Sequence, residues 1–441
     1  MSYGSYKSYK TTENMWVGEI PKEWDLIKMK FCFNLRGGYA FKSDDFVEEG
    51  ACLIRIGDIK DGSVDLENCK KLPLEYSIMM KDFLVGAGDI LIALTGATIG
   101  KIGQVPKTHK KILLNQRVGK LNSEYSTYYK YILESDFIQS QIKLISEGSA
   151  QDNISNEDIE NFEILKVDDM TKISISNFLD NKTYEIDKNI EKNKELISLL
   201  EEKKNVLINQ AVTKGLEKNV RMKNSGIKWI GEIPEHWELN RIKNTSYVKG
   251  RIGWHGLTSN EFSDEGAFLV TGTDFDNGCI NWESCHHISY ERYQQDPYIH
   301  LKNGDLLITK DGTIGKLALI SNIPDKATLN SGIFLVRPVG ESYLNEFLYW
   351  VLYSDVFKRY FDYIKTGSTI SHLYQETFEN FFFEIPPINE QIEIVDYLNT
   401  EILKINRVLD KVRENIYLLE EYRTSLIYHV VTGKIDVRGE I

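Results

Sequence analysis

From Ile388 to Thr432 the chain has neither proline nor glycine. Its apolar positions there recur at alternating steps of four and three: Leu398, Ile402, Ile405, Leu409, Val412, Ile416, Leu419 and Leu426, with Arg423 between the last two. That is a heptad seam, so the pattern predicts a long helix packed along a partner helix. A second stretch without proline or glycine, Lys172 to Lys214, carries Leu179, Thr183, Ile186, Ile190, Asn193, Ile197, Leu200, Lys204 and Leu207 at the same spacing, 219 residues earlier. A lone asparagine in such a seam, here Asn193, often sets register. Burial in an ordinary globular core would produce one such stripe; two matching stripes favour a helix–helix pair.

Ahead of each long helix the pattern changes. Short apolar runs after Gly-Asp turns, ILIAL (90–94) and LLIT (306–309), read as strands, as do ACLIRIGDI and AFLVTGTDF. Residues 128–145 and 345–364 read as amphipathic helices. Each half is therefore a mixed α/β (α+β) domain followed by a long helix.

The halves are copies of one another. WVGEIPKEWDLIKMK (16–30) returns as WIGEIPEHWELNRIK (229–243), GDILIALTGATIGK (88–101) as GDLLITKDGTIGK (304–316), and INQAVTKG (208–215) as IYHVVTGK (427–434). SEGSAQDNISNEDIENFEI (146–164) is answered by KTGSTISHLYQETFENFFFEI (365–385). The offset grows from 213 to 219 residues, as small insertions in a duplicated domain would make it. The unit is far longer than a solenoid repeat. We expect a disordered lead-in at 1–15, a domain at 16–171, a spacer helix at 172–214, a second domain at 215–388, a C-terminal spacer helix at 389–434 and a tail at 435–441. Chain order sends the second helix back along the first, which predicts an antiparallel pair and a pseudo-twofold relation between the domains. Leu179 to Val212 gives a spacer of about 50 Å at ~1.5 Å per residue. Domains so spaced could read separate patches of one duplex, whose turn is roughly 34–36 Å.

Chemistry enters mostly by exclusion. TGATIGK and KDGTIGK resemble a phosphate loop, but G-x-x-x-x-G-K-[ST] needs four residues between its glycines and a hydroxyl after the lysine. Here the gaps are three and two, and Ile102 and Leu317 stand where the hydroxyl belongs. What remains is a tight turn with exposed amides, a Thr and a Lys, suited either to a polymer phosphate or to a plain hairpin with a solvated lysine. No dinucleotide fingerprint, Ser-His-Asp or Cys-His arrangement, or methyltransferase tetrapeptide occurs; DPY at 296–298 is incomplete. Cys279, Cys285, His286 and His287 do not complete a zinc ligand set. Five scattered cysteines fit a reducing cytosol, and no apolar stretch is long enough to span a membrane.

The net charge of −12, from 53 basic and 65 acidic residues, argues against indiscriminate nucleic-acid binding. Ile90–Ser123, however, contains no Asp or Glu and carries Lys101, Lys107, Lys110, Lys111, Arg117 and Lys120. Such a run suits a phosphate-facing surface or a solvated positive rim. The acidic stretch 152–169 should face away from DNA. The loop LRGGYAFKS (35–43) answers VKGRIGWHGLTS (248–259), with Arg36 matched to Lys249 and the rest divergent.

The combination of W-[VI]-G-E-I-P-x-x-W opening each half, G-D-[IL]-L-I followed by T-I-G-K, a Gly-Ser segment, I-P-P-I-N-E-Q at 385–391 and a closing long helix resembles the specificity subunit of type I restriction-modification systems. The resemblance runs from Trp16 to Lys434. The first copy departs from it where LKVDDMT (165–171) replaces the Pro-Pro and Glu-Gln signature, so the start of the first helix should differ. The resemblance implies two target recognition domains on antiparallel coiled-coil helices, each reading half of an asymmetric gapped DNA sequence. It also implies a non-catalytic, cytoplasmic chain without cofactors of its own. S-adenosylmethionine, ATP and magnesium would serve its partners, which are two methyltransferase subunits and a restriction endonuclease. A two-domain protein-interaction scaffold without DNA is the competing reading. On the first reading, positions shared by both copies (Thr98/Thr313, Lys101/Lys316, Arg36/Lys249, Ser149/Ser368) should hold the DNA backbone. Divergent ones (Tyr39, Lys42 and Arg117 against Arg251, Trp254 and His255) should read bases.

Overall fold

The computed structural model describes residues 4–60, 62–147, 153–251, 257–364 and 372–439. By backbone contacts the chain forms two units, Met1–Lys194 with Arg413–Ile441, and Glu195–Val412. Both long helices, Asp169–Lys214 and Ile388–Val431, contribute one segment to each unit.

In the first unit, strands β1 (Asn34–Gly37), β2 (Ala51–Ile54), β3 (Lys70–Leu72), β4 (Ile90–Ala93), β5 (Ile102–Gln104), β6 (Ile112–Leu114) and β7 (Val118–Asn122) build two sheets. One contains the order β1-β7-β4-β5, extended by the strands Gly62–Val64 and Ile59–Lys60. The other has β3-β2-β6, with β2 and β6 parallel, then Leu84–Val85. The second unit repeats this arrangement. Its strands are β8 (Ser246–Gly250), β9 (Ala267–Val270), β10 (His286–Ile288), β11 (Leu306–Thr309), β12 (Leu317–Leu319), β13 (Ala327–Leu329) and β14 (Ile333–Pro338). They form the orders β8-β14-β11-β12 and β10-β9-β13, with β9 and β13 parallel. β4, β6, β11 and β13 are buried throughout, which is why they read as continuous apolar runs rather than alternating ones.

Each unit buries its own part of the helical seam. Leu179, Ile186, Ile190 and Leu426 are buried in the first unit's core, with Ile416 and Leu419 packed against it. Leu398, Ile402, Ile405 and Leu409 are buried in the second unit's core, flanked by Ile197, Leu200 and Leu207. Val412 is buried and Asn193 half-buried. Asp187 meets Arg423 in the first unit, and Lys204 meets Asn406 in the second. Partner numbers fall as the first rise, the signature of antiparallel helices. The two crossings are also equivalents under the 219-residue offset. In the first unit Arg423 reaches Glu134 (3.5 Å), and in the second Lys204 lies 5.5 Å over the ring of Tyr353, the residue equivalent to Glu134. These polar crossings supply a registering contact of the kind expected of Asn193.

The two long helices start differently. Gln391 is fully buried, its amide donating to the carbonyls of Pro386 and Ser342 while its oxygen accepts from the Leu344 amide. Glu390 accepts from the Trp237 indole at 2.9 Å. The first copy lacks both residues and uses a local cap instead. Asp168 accepts from the Thr171 amide and hydroxyl at 2.9 and 2.7 Å, contacts that hold its carboxyl below the ordinary range.

Residues 1–15 are not a disordered lead-in where described. Tyr9–Thr11 pairs with Glu19–Pro21, Tyr6 is buried against Trp24, and Gly4 bridges to Asp436 of the tail. Each long helix ends on a glycine at positive φ (Gly215 +73°, Gly433 +71°), against Trp237 and Trp24 respectively. A methyl group on Gly433 would lie 2.5 Å from Pro21 Cδ and 2.7 Å from Trp24 Cζ3. Gly433→Ala is expected to cost about 3 kcal/mol, from strain at positive φ plus overpacking. At Gly215 the nearest atom would be Trp237 Cζ2 at 3.1 Å, so Gly215→Ala costs less. Denaturant unfolding of both variants checks the order.

Candidate nucleic-acid interface

Four segments of the first unit meet at one end of its sheets, tied by backbone bonds. Gly38 donates to the Val118 carbonyl (3.2 Å), Tyr39 to Leu114 (2.9 Å) and Gln116 back to Tyr39 (3.0 Å). Leu94 donates to the Arg117 carbonyl (3.0 Å), and Ile154 donates to Leu94 (2.9 Å). The loop after β1, the β6–β7 turn, the TGATIGK hairpin joining β4 to β5, and the segment at 153–155 thus form one rim. Gly38 is required here: an added Cβ would sit 2.2 Å from the Leu114 oxygen.

This rim brings together Tyr39, Arg117 and the Thr98–Lys101 turn. Arg117 and Lys42 are exposed, and Tyr39 rests its ring against Phe41 and Phe83. Arg36 lies opposite Lys120 in the β1–β7 ladder and pairs with Asp82 at 3.3 Å. Thr98 donates to the Ile56 carbonyl (3.4 Å), and Lys101 is half-buried.

Two expectations need correction. Several amides of the repeated turn are engaged within the chain rather than exposed as a cradle. The amides of Ile99, Gly100 and Lys101 donate to the Gly96, Ala93 and Thr98 carbonyls at 2.9–3.0 Å. In the second copy Gly315 donates to the Thr309 carbonyl and Lys316 to the Thr309 hydroxyl, both at 2.9 Å. Nor does the basic run form one surface. Lys107, Lys110 and Lys111 connect the far end of β5 to the start of β6, the ends opposite the rim, and Lys110 donates to the Leu66 carbonyl. Lys120 is paired with Asp89 at 2.5 Å. Strand reversal separates residues that adjoin in sequence.

The second unit repeats two of the rim's backbone bonds. Lys310 donates to Gly332 and Leu373 donates to Lys310, both at 2.8 Å, as Leu94 and Ile154 do in the first. Lys249 is exposed beside Tyr247, Thr313 is exposed, and the Lys316 ammonium donates to the Gly272 carbonyl (3.3 Å). Arg251, expected to read bases, is instead a core residue. Its guanidinium is paired with Asp296 and donates to the Leu329 carbonyl (3.0 Å) and the Thr328 hydroxyl (3.3 Å). It occupies the place of Gly38, and its Nε takes the carbonyl equivalent to the one Tyr39 N–H uses. Ser149, Trp254, His255 and Ser368 lie outside the described residues.

Sequence reading missed the residues that open the repeated turn. The equivalent bonds match Thr95 with Asp311 and Asn153 with His372. Thr95 bridges to Asn153, and Asp311 is hydrogen-bonded to His372 Nδ1. Comparing the residue just before the shared turn in each copy would have found them. His286 and His287 pack on Phe262 and Phe268. Among the described residues no group of three or more His, Cys, Asp or Glu side chains could hold a metal, and no helix is long and apolar enough to cross a membrane.

Two mixed domains with matching rims, carried on a helix pair, define a duplicated recognition architecture. The type I restriction modification DNA specificity domain matches the chain twice, at residues 21–202 and 235–412, and the chain belongs to that family. It is 24% identical over 438 residues to the Type I restriction enzyme MjaVIII specificity subunit of Methanocaldococcus jannaschii, covering 95% of each chain. With the EcoBI specificity subunit of Escherichia coli the identity is 23%, covering 95% of this chain and 88% of that one. A chain solved in work on complex assembly and conformational transition of the type I R-M system superposes with a TM-score of 0.71. The match covers 96% of this chain and 99% of that one at 15% identity, a likeness of fold.

Proposed function

We propose that this chain is the sequence-recognition subunit of a type I restriction-modification complex. Each domain reads one half of an asymmetric, gapped duplex target, and partner subunits methylate adenine or cut. The observation that carries this reading is the duplicated rim: the backbone bonds flanking the repeated turn are the same in both copies, while the residues they present differ (Thr95, Arg117 and Asn153 against Asp311, Gly332 and His372). Shared scaffolding with divergent side chains is what two half-sites of unlike sequence require. In this reading Arg36, Lys249, Thr98, Thr313, Lys101 and Lys316 hold phosphates, and Tyr39, Lys42 and Arg117 face bases. S-adenosylmethionine, ATP and magnesium serve the partners, in the cytoplasm. The exposed Leu196, Leu199, Val206 and Leu403 of the helices in the second unit offer apolar area to a methyltransferase subunit.

Co-expression with its methyltransferase partner, followed by sequencing for methylated adenine, tests the proposal. A two-part motif that disappears when this chain is omitted supports it; no methylation and no duplex binding at low salt would sink it. Lys101→Ala is expected to weaken target and scrambled duplexes alike and to lower the salt slope of binding by about one. Loss of target preference alone would remove Lys101 from the phosphate set.

A further inference from the structure

We infer that Asp311, oriented by His372, is a specificity-determining residue that reads a cytosine in the half-site of the second domain. The inference rests on the DNA-recognition reading above and assigns one of its contacts. Asp311 is the second residue of the K-D-G-T-I-G-K hairpin, at the place where the first copy has Thr95, and the flanking backbone bonds are the same in both. Its side chain is 45% exposed and hydrogen-bonded to His372, itself 31% exposed. The imidazole is steadied by the edge of Tyr374, whose ring centroid is 4.9 Å away. The pair is therefore ordered before any ligand arrives, which lowers the entropy cost of using it.

The space around the carboxylate is also particular to this copy. Gly332 stands where the first copy places Arg117, and a Cβ there would lie 3.6 Å from Asp311 Cβ. At that position the turn has no side chain to set against the acid. A carboxylate on a rim that faces DNA is repelled by phosphates, so it suits the site only where it accepts a hydrogen bond. The cytosine N4 amine is the major-groove donor matched to Asp or Glu. The His372 Nδ1 donates to this carboxylate and fixes the direction in which its second oxygen can accept. In the first copy the equivalent pair, Thr95 and Asn153, lacks the carboxylate and offers an amide, the group that matches adenine N6 and N7.

The test is selection from a library of randomised duplexes by the full-length chain at fixed salt, comparing wild type with Asp311→Asn and with His372→Asn. Wild type should enrich a two-part motif. Asp311→Asn should lower preference for cytosine at one position of one half by about tenfold to a hundredfold. The other half should stay unchanged, and His372→Asn should affect the same position. An unaltered motif, a change in both halves, a sensitive position that is not cytosine, or loss of all enrichment by a variant that melts like wild type would each overturn the assignment. Should Asp311→Asn melt early, His372→Asn decides alone. If wild type itself enriches no two-part motif, it is the DNA-recognition reading that fails.

Discussion

Arg251→Ala is expected to unfold the second unit more easily while leaving base preference intact. The Arg251 side chain is fully buried, and Asp296, its partner, is 1% exposed. Burial pulls the guanidinium below its usual pKa, and the Asp296 carboxylate opposes that pull. Truncation would leave the Leu329 carbonyl and the Thr328 hydroxyl without this donor, remove one of two arginines from a buried carboxylate, and open a cavity. Breaking a buried pair costs roughly 3–5 kcal/mol. Asp296 still keeps Arg292 at 2.9 Å and accepts from the Tyr298 hydroxyl at 3.2 Å, so about 3 kcal/mol is expected here. Arg251→Lys should recover part of this, since an ammonium restores charge but not the planar fork. Thermal unfolding measured beside duplex binding checks the assignment. A change in base preference without a change in melting would return Arg251 to the interface.

The same position shows where sequence reading stops. Arg251 and Gly38 both follow a matched basic-Gly pair, so the divergence looked like altered recognition. It is instead two solutions to one packing problem. In the first copy a glycine lets the backbone reach the Leu114 carbonyl, and in the second an arginine side chain reaches the equivalent Leu329. The helix seam and the buried strands were legible because period and repetition are properties of the chain itself. The bridge from Gly4 to Asp436 depends on a tertiary contact that no local window holds, whereas the pairing of Tyr9–Thr11 with Glu19–Pro21 is local but carries no hairpin turn signature in the polar lead-in. The basic run from Lys101 to Lys120 was likewise legible as composition and misleading as a surface, because β5 carries its middle away from the rim. Asp311 and His372 were passed over because they lie 61 residues apart and each looked like an ordinary loop residue.

Glu384→Leu is expected to stabilise the second unit by about 3 kcal/mol more at pH 7 than near pH 4.5. Glu384 sits in the strand Phe382–Ile385, paired with Leu239 of the strand Glu238–Arg241. Its side chain is fully buried, and neither carboxylate oxygen has a hydrogen-bond partner among the described residues. Burial pushes its pKa up from 4.5 to about 8, with its own backbone N–H and then Arg359 only partly opposing. Between those values the folded chain keeps a proton that the unfolded chain has released. The favourable contribution is therefore complete below about pH 4.5 and is lost progressively as pH rises towards 8. The first copy supplies the replacement: its corresponding ladder pairs Leu26 with Leu165, an apolar residue at the equivalent place. Leucine should therefore fit without strain and remove the pH slope, whereas Glu384→Gln removes the slope but keeps an unpaired polar group in the core. Stability measured by denaturant at pH 5, 7 and 8 for wild type and both variants separates these effects. Parallel pH curves for wild type and Glu384→Leu would show that the carboxyl finds solvent or a partner in the folded chain.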